Sequence, residues 1–290
     1  MNIVVCIKQV PDIEELLAVE KGEVIFRNQP PRMVINSLDL LALEEAIRIK
    51  ETVKKGQVTL ISLSSISNED SLRKGLAMGA DEAILLCDPG FENCDSYTTA
   101  LVLAKTINTI PHDLVLCGRR SDDSLAGLTG AYLAQILGLT LIQDVINVVI
   151  NEEDRTLKVH RKLERGDREV ITCSLPALLT VEAGLNKPRH ISVQGIFRSR
   201  KKEIDKYDSQ KLGLDDEVGW KVSKANIIHI SPPKPKLKGL IIPDSRLSPA
   251  ERLRLIASGG LESRKSNVLE GEHERVASQL VQFFKQNKIL

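Results

Sequence analysis

The stretch Val58-Thr-Leu-Ile-Ser-Leu63 is a short apolar and β-branched run, and a helical pattern over residues 69–78 follows it and ends at Gly79. A second apolar run, Ala83-Ile-Leu-Leu-Cys87, comes directly afterwards. Short, uninterrupted apolar runs are typical of strands that are covered on both faces, as in parallel sheets. Residues 58–87 therefore predict a strand–helix–strand unit with a right-handed crossover.

The same alternation extends from this unit in both directions. Periodicity predicts further elements in order: strands at 2–7 and 113–117, and helices at 38–55, 96–108 and 127–137. Asn36 or Ser37 is available as the N-cap of the first helix. Repeated strand–helix units predict an α/β fold, with a doubly wound, mostly parallel sheet of the Rossmann-like, adenine-nucleotide-hydrolase-like kind.

After residue 140 the pattern changes. Residues 144–150 and 157–163 flank the turn-rich segment 151–155, which predicts an antiparallel hairpin, and 169–173 and 177–181 are expected to continue the strands. Beyond Arg198 apolar positions are sparse and prolines cluster near 232–236, so residues 198–239 are predicted to form an extended arm before two helical segments, 248–258 and 272–286. The predicted division is an α/β domain over 1–197, and a C-terminal arm with helices over 198–290.

Composition excludes several functional classes. The 290 residues are 42% hydrophobic, which is sufficient for a large core, and 40 basic residues nearly cancel 39 acidic ones. The chain is therefore not expected to have an overall positive electrostatic field that would bind nucleic acid or an anionic membrane. No apolar run approaches the roughly 20 residues of a membrane span. Five widely spaced cysteines without a C-x-x-C pair, and a first segment that is strand-like rather than a leader, predict a cytoplasmic protein with reduced thiols. Five scattered histidines predict no metal site.

Ligands of open α/β sheets bind beyond the carboxyl ends of the strands, and anions favour helix N-termini. The segment from Cys117 to Thr129 follows a predicted strand, is rich in glycine, serine and threonine, and leads into a helix. Its amides and hydroxyls suit a phosphate, and Arg119 and Arg120 add positive charge. The segment matches neither G-x-G-x-x-G nor the P-loop pattern, so an ordinary turn and cap is an equally open interpretation.

Five motifs occur in one order along the chain: Ile7-Lys-Gln-Val-Pro-Asp12, Asn36-Ser-Leu-Asp-Leu-Leu-Ala-Leu-Glu-Glu-Ala-Ile-Arg-Ile-Lys-Glu51, Leu76-Ala-Met-Gly-Ala-Asp81, Lys158-Val-His-Arg-Lys-Leu-Glu-Arg-Gly166, and an apolar strand from Leu175 that leads into Asn186-Lys-Pro-Arg189. Together they resemble the beta subunits of electron-transfer flavoproteins, and the resemblance covers residues 1 to about 202. Ser37 replaces the proline of the second motif.

The resemblance implies the beta subunit of a heterodimer that carries electrons between a flavin dehydrogenase, acyl-CoA-type or other, and a downstream acceptor, with electron bifurcation in some relatives. The alpha subunit would hold the main FAD, and this chain would bind AMP or a second FAD. No general acid or base is implied, because the flavin carries the electrons. By position, the implied nucleotide site comprises Cys6, Asn36, Ser37, Leu38, Asp39, Leu63, Gly118, Arg119, Arg120, Ser121, Asp122, Asp123, Ser124, Leu125, Ala126, Gly127, Leu128 and Thr129.

Within this implied site, Asn36 and Asp39 suit ribose or adenine hydrogen bonds, with helix capping as the alternative role for Asn36 and Ser37. Cys6 and Leu63 are expected to pack rather than react. The segment after Gly118 departs from the family pattern. Two arginines there favour a pyrophosphate, hence FAD, whereas an aromatic content of 3% offers few surfaces for stacking an isoalloxazine. AMP and FAD both stay open.

In the family, a hydrophobic residue after the N-x-P-R motif anchors the partner dehydrogenase. Val193 occupies the matching position on a predicted exposed loop over 184–202, and Ile191 and Ile196 flank it. The alternative is that Val193 is a buried loop residue. The basic run over 198–202 lacks interleaved aromatics, which indicates a solvated or partner-facing segment rather than a nucleic-acid site. The arm is predicted to wrap the alpha subunit.

Two other functional classes are considered. A stand-alone adenine-nucleotide sensor of similar architecture would need no detached arm after residue 198. An adenylating enzyme would need a pyrophosphate loop after the first strand, and Cys6-Ile-Lys-Gln-Val-Pro11 does not supply one.

Overall fold

The computed structural model describes residues 1–12, 17–20, 23–26, 32–64, 69–92, 94–214, 219, 222–225, 247–257, 271 and 273–286. The chain separates into two compact units, Met1–Pro233 and Lys234–Leu290. Across the described ranges, no helix combines the length and the apolar character needed to cross a bilayer.

Thirteen strands and seven α-helices are formed by the described residues. The strands are β1 (Asn2–Cys6), β2 (Gln9–Pro11), β3 (Leu17–Glu20), β4 (Glu23–Phe26), β5 (Met33–Ile35), β6 (Gln57–Ser64), β7 (Glu82–Cys87), β8 (Leu114–Gly118), β9 (Thr140–Asn151), β10 (Thr156–Lys162), β11 (Arg168–Ser174), β12 (Ala177–Val181) and β13 (Asp205–Tyr207). The helices are α1 (Ser37–Val53), α2 (Asp70–Met78), α3 (Ser96–Ile107), α4 (Thr129–Leu137), α5 (Val193–Lys201), α6 (Pro249–Ala257) and α7 (His273–Gln286).

Nine strands form the central sheet, in the order β11-β10-β9-β12-β8-β1-β6-β7-β13. From β9 to β13 all neighbours run parallel, whereas β10 is antiparallel to both β9 and β11. The predicted α/β fold, with its mostly parallel sheet and antiparallel hairpin, is confirmed.

Alternate residues of each strand face opposite cores, as the two-residue period of a strand requires. In β1, Ile3 and Val5 belong to the core that includes the buried faces of α1 and α2. Val4 and Cys6 belong to the opposite core, with α3 and α4. Covering both faces explains why the strands are nearly continuous apolar runs.

Residues 198–214, the described part of the predicted arm that directly follows its boundary, do not form an extended segment. The predicted boundary at 198 falls inside α5, and β13 adds to the central sheet as the parallel neighbour of β7. Arg73 donates hydrogen bonds to the carbonyl oxygens of Ser199 (2.8 Å) and Lys202 (2.6 Å) at the end of α5. The Lys202 ammonium donates to the carbonyl oxygens of Ala80 and Asp81. This segment is held by charged side chains on backbone carbonyls, which its low apolar content does not reveal.

In the second unit, α6 and α7 lie within the predicted helical segments 248–258 and 272–286. The proline-rich residues 232–236 of the predicted arm lie outside the described residues.

Candidate functional site

A cavity of about 690 Å³ opens at the carboxyl ends of β1, β6 and β8, beside the first turns of α3 and α4. Its size falls within the roughly 300–1,000 Å³ of ordinary small-molecule sites. Most of the predicted nucleotide-site residues line it: Cys6, Asn36, Asp39, Leu63, Gly118, Arg119, Arg120, Ser121, Ser124, Ala126, Gly127, Leu128 and Thr129. The remaining five predicted residues lie outside its lining.

Those five, which do not line the cavity, are Ser37, Leu38, Asp122, Asp123 and Leu125. The Ser37 amide donates to Asp122 Oδ2 (3.1 Å), and the Lys8 ammonium pairs with Asp123 (2.6 Å). Leu125 has a left-handed backbone (φ 55°), and its side chain is 57% exposed. The two carboxylates brace the loop against β1 and α1 rather than facing the cavity.

Asp39 ties the ends of two central strands together. Its Oδ2 accepts the Lys8 amide and its Oδ1 accepts the Gly118 amide, both at 2.8 Å. A Cβ on Gly118 would collide with this carboxylate and lie 2.8 Å from Cβ of Leu38, so glycine is required for the close approach. Burial raises the pKa of Asp39 to about 6, although the two amide hydrogen bonds oppose that rise. Both carboxylate oxygens accept backbone amides of the chain, and the residue also lines the cavity, so its predicted contact to a ribose or adenine stays a prediction.

Asn36 shapes the loop after β8. Its side-chain amide donates to the Arg120 carbonyl oxygen (3.0 Å), and its Oδ1 accepts the Asp122 amide (2.9 Å). The residue is 1% exposed and stands at the N-cap position of α1, but its side chain makes no capping hydrogen bond. The Asn36 side chain therefore satisfies one backbone carbonyl and one backbone amide of the loop. Neither of the two sequence interpretations, nucleotide binding and helix capping, anticipated this role.

The start of α4 is suited to an anion. Gly127 turns the chain with a φ of 65°, and the residues from Ala126 to Gly130 line the cavity. The helix has no acidic residue in its first turn and no side-chain cap at Leu128. The free amides and dipole of an uncapped helix N-terminus attract phosphate groups.

The two arginines of the loop differ in their surroundings. Arg119 pairs with Asp144 (2.9 Å) and Glu182 (3.3 Å), so its charge is compensated within the chain. Arg120 is exposed, lines the cavity and forms no ion pair with any described residue. The predicted pyrophosphate site depends on both positive charges, and among the described residues only that of Arg119 is compensated by ion pairs.

The opposite wall of the cavity was not predicted. It comes from α3, α4 and the segments around them, and includes Phe91, Cys94, Asp95, Ser96, Tyr97, Thr99, Tyr132 and Lys224. The rings of Tyr97 and Tyr132 meet edge to face, with centroids 5.5 Å apart at 87°. Despite the low aromatic content of the chain, three rings therefore face this one cavity. In the sequence, Asp95 directly before the predicted helix 96–108 indicates a helix N-terminus at this position. In the structure its side chain caps α3 by accepting the Thr98 amide.

Cys6 and Cys117 are buried at the edge of the cavity floor. Burial raises the pKa of the Cys6 thiol to about 12 and that of Cys117 well above its ordinary value. Both are therefore neutral thiols at physiological pH, as expected for packing residues. Within the described part of the chain, no three His, Cys, Asp or Glu side chains are arranged to hold a metal ion.

The 184–190 segment is fixed to α1. The Asn186 side-chain amide donates to Glu45 Oε2 (2.9 Å), and Arg189 bonds to both Glu44 (2.9 Å) and Glu51 (2.6 Å). Burial by itself would raise the pKa of Glu44. Hydrogen bonds from Arg189 and Arg48 outweigh burial and hold the pKa below its ordinary value. The second and fifth sequence motifs thus bond directly to each other.

Val193 is the first residue of α5 rather than a loop residue, and the Ser192 hydroxyl caps this helix by accepting the Gly195 amide (3.0 Å). Val193 is 69% exposed, so the alternative of a buried residue is wrong. Four exposed apolar side chains share this region and are called the α5 apolar face: Ile191, Val193, Ile196 and Phe197. Phe197 was not predicted, although its spacing of four from Val193 places both on one side of the helix.

Comparison with known proteins adds an independent finding. The Electron transfer flavoprotein domain, as a family model, matches residues 24–212. The chain is 41% identical over 243 residues to an electron transfer flavoprotein subunit beta of Thermoanaerobacterium thermosaccharolyticum, covering 83% of this chain and 92% of the relative. It is 35% identical over 244 residues to the subunit beta of Clostridium acetobutylicum, with the same coverage. It is 36% identical over 236 residues to the caffeyl-CoA reductase-Etf complex subunit CarD of Acetobacterium woodii, covering 80% and 88%.

Proposed function

Since the chain belongs to the family of electron transfer flavoprotein beta subunits, we propose that it is the beta subunit of a heterodimer that carries electrons between a flavin dehydrogenase and a downstream acceptor. The relatives' names and the extent of the match support this function over a stand-alone sensor. The arm no longer distinguishes the two, because residues 198–214 are built into the central sheet and its helices.

The observation that carries the proposal is the cavity at the strand ends, which combines an uncapped helix start with an aromatic wall. We propose that it binds the adenosine phosphate portion of AMP or FAD. The amides between Ala126 and Gly130 would hold a phosphate together with Arg120, and Tyr97 and Tyr132 would contact a ring system. A flavin supplies the electron transfer, and the residues of this chain bind, orient and shield the nucleotide.

We further propose that the α5 apolar face contacts the dehydrogenase. Three of its exposed side chains, those of Val193, Ile196 and Phe197, stand on a helix that is capped by Ser192. Ile191 directly precedes the cap, and the segment before it is clamped to α1 by Arg189. A rigid helix with exposed aromatic and aliphatic side chains loses little conformational freedom on binding, which favours a docking element. The C-terminal residues are proposed to contact the alpha subunit.

The test is to purify the chain together with its natural partner subunit and to extract and quantify the bound nucleotides. Two FAD per heterodimer would identify a bifurcating type of carrier, and one FAD with one AMP would identify a simple carrier. A colourless preparation in which the chain forms only homomers without nucleotide would contradict the proposed function.

A further inference from the structure

Residues 222–225, called the strap, reach the rim of the cavity. Lys224 and Ala225 line the cavity and are also exposed to solvent, so they stand at its rim. The Lys224 ammonium lies 5.3 Å from the centroid of the Tyr97 ring, which belongs to the cavity wall. The strap therefore contributes part of the enclosure, although it is more than a hundred positions from the strands that form the floor.

One carboxylate holds the strap in place. Asp95 Oδ2 accepts the Ser223 hydroxyl (2.7 Å) and the Lys224 amide (3.0 Å), while Asp95 Oδ1 accepts the Thr98 amide (2.8 Å) at the start of α3. Burial by itself would raise the pKa of Asp95. The hydrogen bonds outweigh burial and lower the pKa to about 2, so the group is a carboxylate at neutral pH. Hydrogen bonds to an ionised acceptor are stronger than neutral ones.

We propose that Asp95 is a positioning residue that fixes the strap at the rim of the cavity, and that the fixed strap slows the departure of a bound adenine nucleotide. The inference rests on the proposed nucleotide site. A ligand held between the strap and the aromatic wall leaves more slowly while the strap is fixed, and release of the strap requires that both hydrogen bonds to Oδ2 break. Asp95 itself belongs to the cavity wall, but both of these bonds go to the strap, so its loss acts mainly on the dissociation rate.

The chain offers a matched control. Asp88 repeats the same arrangement: its Oδ1 accepts the Gly90 amide (2.6 Å), and its Oδ2 accepts the Ser209 hydroxyl (2.7 Å) and amide (3.1 Å). Asp88 also caps a helical turn and also holds a later segment of the chain, but neither Asp88 nor Ser209 lines the cavity. Asp88→Asn thus reproduces the general cost of losing such a carboxylate.

The experiment compares the wild-type complex with its Asp95→Asn and Asp88→Asn variants. Asparagine keeps an oxygen for the capping bond and places an NH₂ group where the strap amide needs an acceptor. Each complex is loaded with radiolabelled AMP, or with FAD where extraction of the wild type yields FAD in this site, and is then diluted into excess unlabelled nucleotide. We expect dissociation about tenfold faster for Asp95→Asn, consistent with losing one charge-assisted hydrogen bond. We expect an unchanged rate for Asp88→Asn.

Equal dissociation rates for the wild type and Asp95→Asn would overturn the inference. So would an equal acceleration by both variants, because the effect would then come from chain anchoring in general. Should Asp95→Asn fail to fold, the dissociation rates of Ser223→Ala and of its control Ser209→Ala are compared instead. Faster dissociation for Ser223→Ala alone supports the inference, and equal rates overturn it. A wild-type complex that retains and takes up no nucleotide would instead defeat the proposed function, and the inference with it.

Discussion

Replacing Arg189 by methionine would remove the clamp between the 184–190 segment and α1. Methionine has a similar length and no charge, so the change deletes the guanidinium while keeping much of the packing. Two side-chain hydrogen bonds to Glu44 are lost, at 2.9 and 3.3 Å, together with two to Glu51, at 2.6 and 3.0 Å. The Glu44 side chain is 3% exposed and that of Glu51 is 55% exposed.

The exposure difference sets the magnitude. Hydrogen bonds to a charged, buried group contribute about 1.5–3 kcal/mol each, whereas an exposed pair such as that with Glu51 contributes about 0–1 kcal/mol. Glu44 keeps its bonds to Arg48 and to the amide of residue 189, which offsets part of the loss. We therefore expect the free energy of unfolding to fall by about 2–3 kcal/mol at pH 7.

Urea unfolding at pH 7 and at about pH 3.5 checks this value and its origin. The folded-state pKa of Glu44 lies below its ordinary 4.5, so the stabilisation is present above pH 4.5 and is lost as the pH falls through the folded pKa. The difference between wild type and Arg189→Met should accordingly narrow at the lower pH. Arg161→Met is the control, because Arg161 and Glu169 are 3.6 Å apart and more exposed. A change below about 0.5 kcal/mol at pH 7, or one that is equal at both pH values, would refute the reasoning.

Three further outcomes are expected. Because burial raises the pKa of Asp39 from 3.8 to about 6, the folded state holds this proton more tightly, and stability should fall by about 2 kcal/mol as the pH rises from 4 to 6; Asp39→Asn should lack this slope in urea titrations, and a parallel slope would contradict the assignment. Arg120→Gln should weaken nucleotide affinity about tenfold in equilibrium dialysis, and Arg119→Gln, whose charge is already paired, much less; equal losses would show that the pairing of Arg119 is irrelevant. Val193→Ala should slow electron delivery to or from the dehydrogenase about fivefold while leaving the bound nucleotide unchanged, and unaltered transfer kinetics would remove the docking role.

The fold was predictable where the deciding interactions are local. Runs such as Val58-Thr-Leu-Ile-Ser-Leu63 carry the pattern of a strand buried on both faces, and that pattern needs no knowledge of the partner strand. α5 was not anticipated, because Arg73 and Lys202 hold its C-terminal end through hydrogen bonds between residues distant in sequence. β13 was not anticipated either, since it is a three-residue edge strand without an apolar run. The apolar content of a segment gives no indication of hydrogen bonds between charged side chains and backbone carbonyl oxygens.

The candidate site divides in the same way. The loop after β8 was predictable from its glycines and hydroxyl residues, since these determine local backbone geometry. The roles of Asn36 and Asp39 were not, because their partners lie about 80 positions away, at Gly118 and Arg120. The aromatic wall was not predicted, because ligand sites of open sheets are expected at the carboxyl ends of strands such as β1, β6 and β8. Tyr97 lies instead in the first turn of α3.

The clamp between α1 and the segment before α5 affects how this subunit can be re-engineered. Glu44 and Arg189 are 145 positions apart and are joined by direct hydrogen bonds, so a transplanted α5 keeps its orientation only in a host that supplies matching acidic groups. Tyr132 packs against the core on the opposite side of the sheet from α1, and Tyr97 contacts it edge to face. If α5 docks the dehydrogenase as proposed, chimaeras that exchange α5 should therefore keep the nucleotide preference of the host.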